Sequence, residues 1–91
     1  MNTRVILAKP INRRKIPVLT AGKVRKFLRA HGFVLDRIQG SHFTMKKIDR
    51  NGREISVTVA GSDDEEIPIG TLMNIVRESK IPEEKWRNFR Y

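Results

Sequence analysis

Apolar residues recur at helical spacing immediately after Thr20, which is a good N-cap residue. Positions i, i+3, i+4 and i+7 of this segment are Val24, Phe27, Leu28 and His31. Gly32 follows as a typical stop residue, so the pattern predicts a helix of about ten residues. The remaining face of this helix is basic and is expected to be solvated; it carries Lys23, Arg25, Lys26 and Arg29.

Three apolar-rich segments come next, and the last two alternate with the period of a β-strand. Residues 33–39 alternate imperfectly, so which of their faces is buried stays open. Residues 42–48 place Phe43 and Met45 on one face, and residues 54–59 repeat the alternation. The Asn-Gly pair between these two runs is the strongest short signal for a hairpin. The middle of the chain is therefore predicted to be an antiparallel meander.

Two helices are predicted to close the chain. Thr71 is a cap or first-turn residue of a helix that ends near Lys80, and residues 82–89 form a short helix that begins at a proline. The predicted fold class is α+β, a three-stranded antiparallel sheet with two helices packed on one face (α-β-β-β-α), plus a short C-terminal helix. If Phe43 faces the core, His42 must face the opposite, solvated side, since side chains alternate along a strand.

The length of 91 residues fits one small domain. Residues 1–15 are basic and lack a sustained pattern, so we interpret them as an N-terminal arm that is flexible or forms one edge strand, and residues 16–91 as a single domain. No apolar run is long enough to span a bilayer, and no secretory signal is recognisable. The chain contains no cysteine, which excludes disulfides and thiolate metal sites. We expect a soluble, cytoplasmic protein with no membrane partner.

The formal charge of +9 is concentrated in the first two thirds of the chain. Residues 1–20 carry five basic residues and no acidic one, and residues 21–60 carry nine basic residues against three acidic ones. The C-terminal third is acidic on balance and contains Asp-Asp-Glu-Glu at 63–66. A polyanion such as nucleic acid is the partner that this distribution favours. A basic surface that serves only solubility is the alternative.

Most catalytic and metal-binding motifs are absent from the sequence: it has no HExxH, no cysteine cluster, no GxSxG and no phosphate-binding loop. The acidic run at 63–66 lacks the spacing of a calcium loop and is expected to be a solvated loop. We therefore expect no metal and no small-molecule cofactor. His31 falls in the last turn of the first helix, where an imidazole complements the helix dipole, so packing is its expected role.

His42 differs from His31 because it is predicted to face outward, next to Gly40 and Ser41, which leave room for a ligand. Metal-free RNA cleavage needs a base that takes the 2′-OH proton and an acid that protonates the leaving 5′ oxygen. An imidazole can serve in both roles near neutral pH. Taken alone, an outward polar residue without a catalytic role is an equally good interpretation of this histidine.

Three short motifs in a fixed order resemble the HicA family, the small toxins of bacterial HicA/HicB toxin–antitoxin modules. They are HGF at 31–33, GSH at 40–42 and GTLMNI at 70–75, and the resemblance runs from about residue 16 to residue 89. It implies a fold similar to the double-stranded-RNA-binding domain. It also implies a type II toxin that cleaves messenger RNA independently of the ribosome, a HicB-like antitoxin that blocks it, and His42 as the catalytic histidine.

Together with the outward His42, the resemblance gives the leading hypothesis of a metal-independent endoribonuclease with this histidine as general acid/base. Gly40 and Ser41 are expected to shape a phosphate pocket. The residues expected to hold the RNA backbone are Arg37, Lys46, Lys47 and Arg53. Either Lys46 or a water molecule would supply the second proton transfer.

Two departures from the family pattern favour a second hypothesis, and one of them is the extra basic arm of residues 1–15. Members of the HicA family frequently carry a proline and another histidine just after the third strand, where this chain reads Ala-Gly-Ser at 60–62. The alternative function is a non-catalytic module that binds double-stranded RNA or other nucleic acid through its shape and charge. A third is a protein that acts only through a protein partner. If the chain is a toxin, its antitoxin is expected to cover the basic sheet face that carries His42.

Overall fold

The computed structural model describes residues 16–89. In chain order the elements are α1 (Ala21–Ala30), β1 (Val34–Gln39), β2 (His42–Ile48), β3 (Glu54–Ala60), α2 (Ile69–Ser79) and α3 (Glu83–Asn88). The strands form one antiparallel sheet in the order β1-β2-β3. The predicted α+β class and element order are confirmed. The predicted N-terminal arm of residues 1–15 lies outside the described residues.

The ends of the helices follow from local capping chemistry. Thr20 is the N-cap of α1, since its Oγ1 accepts a hydrogen bond from the backbone N–H of Lys23 at 3.2 Å. Helix α2 begins two residues before Thr71, with Pro68 at the N-cap, so Thr71 lies in the first turn. It ends at Lys80, which adopts a left-handed conformation with φ of 65°. The predicted cap at Thr20 is confirmed.

The register of the sheet explains why the alternation in the first strand is imperfect. Leu35 lies opposite Met45 and Arg37 lies opposite Thr44, so Asp36 is an extra residue that forms a bulge in β1. The bulge moves the residues after it by one position relative to strict alternation. The Asn-Gly hairpin between β2 and β3 is confirmed, with the N–H of Asp49 donating to the carbonyl of Arg53 at 2.9 Å.

All the large buried side chains lie between the helices and one face of the sheet, as predicted. The core includes Leu19, Val24, Phe27, Leu28, Phe33, Met45, Val57, Val59, Leu72, Ile75, Val76 and Trp86. Trp86 of α3 is fully buried, and its ring stacks on Phe27 with 3.8 Å between centroids. Helix α3 therefore closes one side of the core, and the other face of the sheet carries no helix within residues 16–89.

The solvated basic face predicted for α1 is wrong at one position. Arg25 is 4% exposed, whereas Lys23, Lys26 and Arg29 are exposed. Its guanidinium donates to the carbonyl of Gly61 at 3.1 Å and to Oδ1 of Asp63 at 2.6 Å. The side chain is buried because the loop after β3 supplies acceptors that replace water.

The acidic loop at residues 63–66 has a structural role as well as exposed side chains. The backbone N–H groups of Ala21 and Gly22 donate to the carbonyls of Glu65 at 2.8 Å and Asp63 at 3.1 Å. The loop therefore satisfies the first N–H groups of α1 and places carboxylates near the positive end of its dipole. This contact ties the loop after β3 to the start of α1.

The described helices are short compared with a bilayer. A membrane-spanning helix needs about 20 mostly apolar residues. The longest helix within residues 16–89 has 11 residues, so none of these helices could span a membrane.

Candidate active site around His42

His42 is the first residue of β2 and lies on the sheet face opposite the core. It is paired with Gln39 of β1 and Ala60 of β3. The neighbouring Phe43 points to the helical side, where Arg25 lies over its ring, so strand alternation directs His42 outward as predicted. The imidazole is exposed, and within residues 16–89 it forms no hydrogen bond or ion pair. Both ring nitrogens are therefore available to a ligand.

The turn that precedes His42 leaves open space beside Gly40. Gly40 adopts φ of +60°, a left-handed conformation that glycine adopts without strain, and no atom lies within 4 Å of the point where a Cβ would stand. Ser41 is exposed, and its carbonyl accepts a hydrogen bond from the N–H of Gly61 at 2.9 Å. The two predicted pocket residues are thus adjacent to His42, and the backbone beside them is held by the loop after β3.

Arg25 supports this end of the sheet from the opposite face. Its guanidinium carbon lies 3.9 Å from the centroid of the Phe43 ring, and Phe43 is the next residue after His42. The same guanidinium donates a hydrogen bond to the Gly61 carbonyl, and the Gly61 N–H donates to the Ser41 carbonyl. Arg25 therefore connects α1 to β2, the strand that carries His42, and to the loop after β3. Sequence reasoning missed this role, although Arg25 lies four residues after the buried Ala21 and three before the buried Leu28.

Two of the predicted backbone-binding cations lie on the face that carries His42, and both have carboxylate neighbours. Nη1 of Arg37 is 3.6 Å from Oδ2 of Asp36. Nζ of Lys46 is 3.4 Å from Oδ1 of Asp36 and 3.9 Å from Oε1 of Glu54. These pairs are exposed or half-exposed and therefore weak, so a phosphate could compete for the cations. The charges of the four side chains nevertheless balance, and this part of the face is not strongly basic.

The structure does not bring Lys47 and Arg53 to His42. Lys47 lies opposite Ile55 on the helical side of the sheet, with Nζ 5.6 Å from the centroid of the Phe33 ring. Arg53 lies in the β2–β3 turn, at the other end of the hairpin. A strand of seven residues spans about 20 Å at roughly 3.3 Å per residue. A ligand would have to extend along the hairpin to reach both His42 and Arg53.

Threonines form the centre of the open face next to the candidate site. Thr44 lies two residues after His42, is 6% exposed, and pairs with Thr58 of β3. The two hydroxyl oxygens are 3.1 Å apart, so one donates to the other. This pair fixes the two strands that carry the site and leaves His42 as the exposed titratable group at their end.

His31 has the structural role that was predicted for it. Its Nδ1 is 3.0 Å from the carbonyl oxygen of Phe27, and its ring centroid is 4.2 Å from that of the Phe27 ring. Because a carbonyl oxygen only accepts, Nδ1 must carry the proton in this hydrogen bond. His31 ends α1 and packs on the core, so His42 is the histidine available for chemistry.

Comparison with known proteins identifies the family. The model of a family described as the HicA toxin of bacterial toxin–antitoxin modules matches residues 21–81, which extend from the start of α1 to just beyond α2. The matched segment contains the whole sheet, His42 and Arg25. No curated protein matches the chain.

Proposed function

Because the chain belongs to the HicA family of bacterial toxins, we propose that it is a metal-independent endoribonuclease that cleaves messenger RNA with His42 as general acid/base. The observation that carries this proposal is the position of His42: an exposed imidazole without an intramolecular partner in the described part of the chain, next to the open turn at Gly40 and Ser41. Arg37 and Lys46 lie on the same face, and by strand register they are the candidate phosphate-binding cations nearest to His42.

The proposed reaction is an internal transfer at phosphorus. The 2′ oxygen attacks the adjacent phosphorus and forms a new P–O2′ bond while the P–O5′ bond breaks. One group takes the proton from the 2′-OH and another gives a proton to the 5′ oxygen, and an imidazole can perform either step. The products are a 2′,3′-cyclic phosphate and a 5′-hydroxyl. No metal-bound nucleophile enters this scheme.

A water molecule is the better of the two candidates for the second proton transfer. Lys46 lies four residues from His42 along the same face, which corresponds to about 13 Å of strand. Its ammonium group also lies near the carboxylates of Asp36 and Glu54. Water, by contrast, reaches the exposed imidazole directly. We therefore expect Lys46→Met to weaken RNA binding more than it lowers the rate of cleavage at saturating RNA.

The direct test measures the rate of RNA cleavage in the presence of EDTA by wild-type protein and by His42→Ala. Removing a general acid/base typically lowers a rate by about 10² to 10⁴ fold, so the variant should lose at least about 100-fold. His31→Ala is the matched control, because it removes the other imidazole and should still cleave RNA, provided that the variant is folded. Equal rates for wild type and His42→Ala would exclude the mechanism.

A non-catalytic nucleic-acid-binding module is the second candidate function. It is favoured by the carboxylates beside Arg37 and Lys46, which leave little free positive charge near His42. It is also favoured by Ala60-Gly61-Ser62, which stands where HicA members frequently carry a further histidine. This function predicts RNA binding that weakens steeply with salt. It also predicts no cleavage products with wild-type protein or with His42→Ala.

The proposal also includes a HicB-like antitoxin that covers the open face of the sheet and occludes His42. That face carries no helix within residues 16–89 and is the surface on which an inhibitor would block the imidazole. Modification by diethyl pyrocarbonate should reach His42 in the free protein and be suppressed in the complex. A fully inhibited complex in which His42 still reacts at the free rate would contradict this arrangement.

A further inference from the structure

A second basic site lies at the end of the hairpin opposite to His42. Here a cleft of about 570 Å³ opens between the β2–β3 turn and the C-terminal end of α2. It is lined by residues 47–50, 53–55 and 79–81, which we call the hairpin cleft. Two predicted backbone-binding residues that are remote from His42, Lys47 and Arg53, line this cleft.

The cations of the hairpin cleft have no carboxylate partners in the described part of the chain. They are Lys47, Arg50, Arg53 and Lys80. None of the ion pairs formed within residues 16–89 involves them. Unlike Arg37 and Lys46 on the open face, these cations can bind an external anion without first breaking an ion pair.

The two acidic residues of the cleft already have hydrogen-bond or ion-pair partners. Oδ1 of Asp49 accepts hydrogen bonds from the N–H groups of Asn51 at 2.8 Å and Arg53 at 2.9 Å. The carboxylate of Glu54 lies 3.9 Å from Nζ of Lys46 on the open face. The cleft therefore combines four unpaired cations with two carboxylates that already have partners.

The backbone on both sides of the cleft is fixed by hydrogen bonds. The turn is held by Asp49, as described above, and by the N–H of Gly52, which donates to the Asp49 carbonyl at 3.0 Å. On the other side, Oγ of Ser79 donates to the carbonyl of Val76 at 2.8 Å and accepts from the N–H of Ile81 at 3.2 Å. The backbone that carries these cations is therefore already ordered, so binding a ligand would not require it to become ordered.

From this arrangement we infer that the hairpin cleft is a second binding site for the phosphodiester backbone of the RNA strand that reaches His42. The inference rests on the proposed function. The hairpin length of about 20 Å corresponds to about six phosphates at 3.4 Å each along a stacked strand. The cleft opens on the helical side of the sheet, whereas His42 lies on the open face. The strand would therefore run along the open face from His42 and cross the β2–β3 turn at Arg50 and Arg53 to reach the other cations of the cleft.

Continuity with His42 favours RNA over an acidic protein as the occupant. The same two strands, β2 and β3, carry His42 at one end and the cleft at the other. A polyanion with regularly spaced charges satisfies both ends with one molecule.

The test uses the full chain carrying His42→Ala, so that RNA is bound without being cut. The probe is a fluorescent single-stranded RNA of about twelve nucleotides, long enough to span the hairpin. The cleft variant combines Arg50→Gln, Arg53→Gln and Lys80→Gln. The matched control combines Lys26→Gln, Arg29→Gln and Lys85→Gln, three exposed cations outside the cleft. Fluorescence anisotropy gives the affinity of both variants as a function of salt, and thermal unfolding confirms that both are folded.

The cleft variant should bind the RNA at least about tenfold more weakly than the control. Its slope of log affinity against log salt should be smaller by about 2, because each lost phosphate contact on a single strand removes about 0.7. Equal affinity and slope for the two variants would overturn the inference. So would a cleft variant that binds RNA normally but loses affinity for polyglutamate, which would identify an acidic protein as the occupant. Arg50→Gln alone repeats the test if the triple variant does not fold.

The outcome is separable from that of the proposed function. Cleavage is measured in protein with His42 intact, and affinity in protein without it. Loss of RNA affinity in the cleft variant with no cleavage by wild type would support the cleft and refute the ribonuclease. Cleavage by wild type with unchanged affinity in the cleft variant would do the reverse.

Discussion

Replacing Arg25 by Met removes a buried guanidinium while keeping an unbranched apolar side chain of similar reach. In the native protein the guanidinium donates to the Gly61 carbonyl and to Asp63, and it covers the ring of Phe43. The substitution leaves the Gly61 carbonyl in a buried position without its donor. We expect a clear loss of stability and a looser loop beside His42.

The magnitude follows from the different burial of the partners. Loss of a hydrogen bond from a charged donor to a buried carbonyl costs about 1.5 to 3 kcal/mol. The pair with Asp63 adds no more than about 1 kcal/mol, since the Asp63 side chain is 83% exposed. The contact of the cation with Phe43 adds about 0.5 to 1 kcal/mol. The expected loss in the free energy of unfolding is therefore about 2 to 5 kcal/mol, a large share of the stability of a small domain.

Urea unfolding of wild type, Arg25→Met and Asp63→Asn gives this difference directly. Asp63→Asn keeps an oxygen acceptor and should cost less than about 1 kcal/mol. A loss below about 0.5 kcal/mol in Arg25→Met would refute the reasoning, because the Gly61 hydrogen bond alone is expected to exceed it. Equal losses in the two variants would assign the stabilisation to the exposed ion pair instead.

Three further predictions concern the helix starts. In Gly22→Ala the new Cβ would stand 2.9 Å from the carbonyl oxygen of Asp63, so we expect a loss of about 1 to 3 kcal/mol as the acidic loop is pushed off α1. Gly70→Ala is at the equivalent second position of α2 with nothing within 4 Å, so it should stabilise by about 0.5 to 1 kcal/mol. Urea unfolding measures both, and a change of the same sign would contradict the packing described for the loop. Thr20→Ala removes the side-chain acceptor for the Lys23 N–H, so the free energy of unfolding should fall by about 1 kcal/mol and the melting temperature should fall with it. An unchanged melting temperature would show that the cap does not stabilise the protein.

Local patterns were sufficient for the elements and for the direction of His42. The helix of α1, the Asn-Gly hairpin and the outward histidine all follow from spacing and alternation within a few residues. Alternation also places Lys47 on the face of Phe43 and Met45, away from His42. The same pattern was therefore enough to separate Lys47 from the cations beside His42, although the prediction grouped them.

The features that local patterns missed depend on contacts between distant parts of the chain. Arg25 is buried because acceptors 36 and 38 residues away face it. The bulge at Asp36 and the carboxylates around Lys46 depend on how β1, β2 and β3 pair. The hairpin cleft requires α2 to end next to the β2–β3 turn. Arg25 and its acceptors, like the two sides of the hairpin cleft, lie too far apart to fall within one short sequence window. The bulge and the ion pairs of Lys46 depend on the strand register, which alternation alone does not fix.

The most direct test of the central claim is the chemistry of the RNA ends produced in the presence of EDTA. Wild-type protein should cut messenger RNA to fragments with 2′,3′-cyclic phosphate and 5′-hydroxyl ends, and should not cut the same strand made with deoxyribose, which lacks the 2′-OH. His42→Ala should yield neither product at a comparable rate. Fragments with 5′-phosphate ends, or cyclic-phosphate fragments formed equally fast by His42→Ala, would contradict the assignment of His42 as the general acid/base.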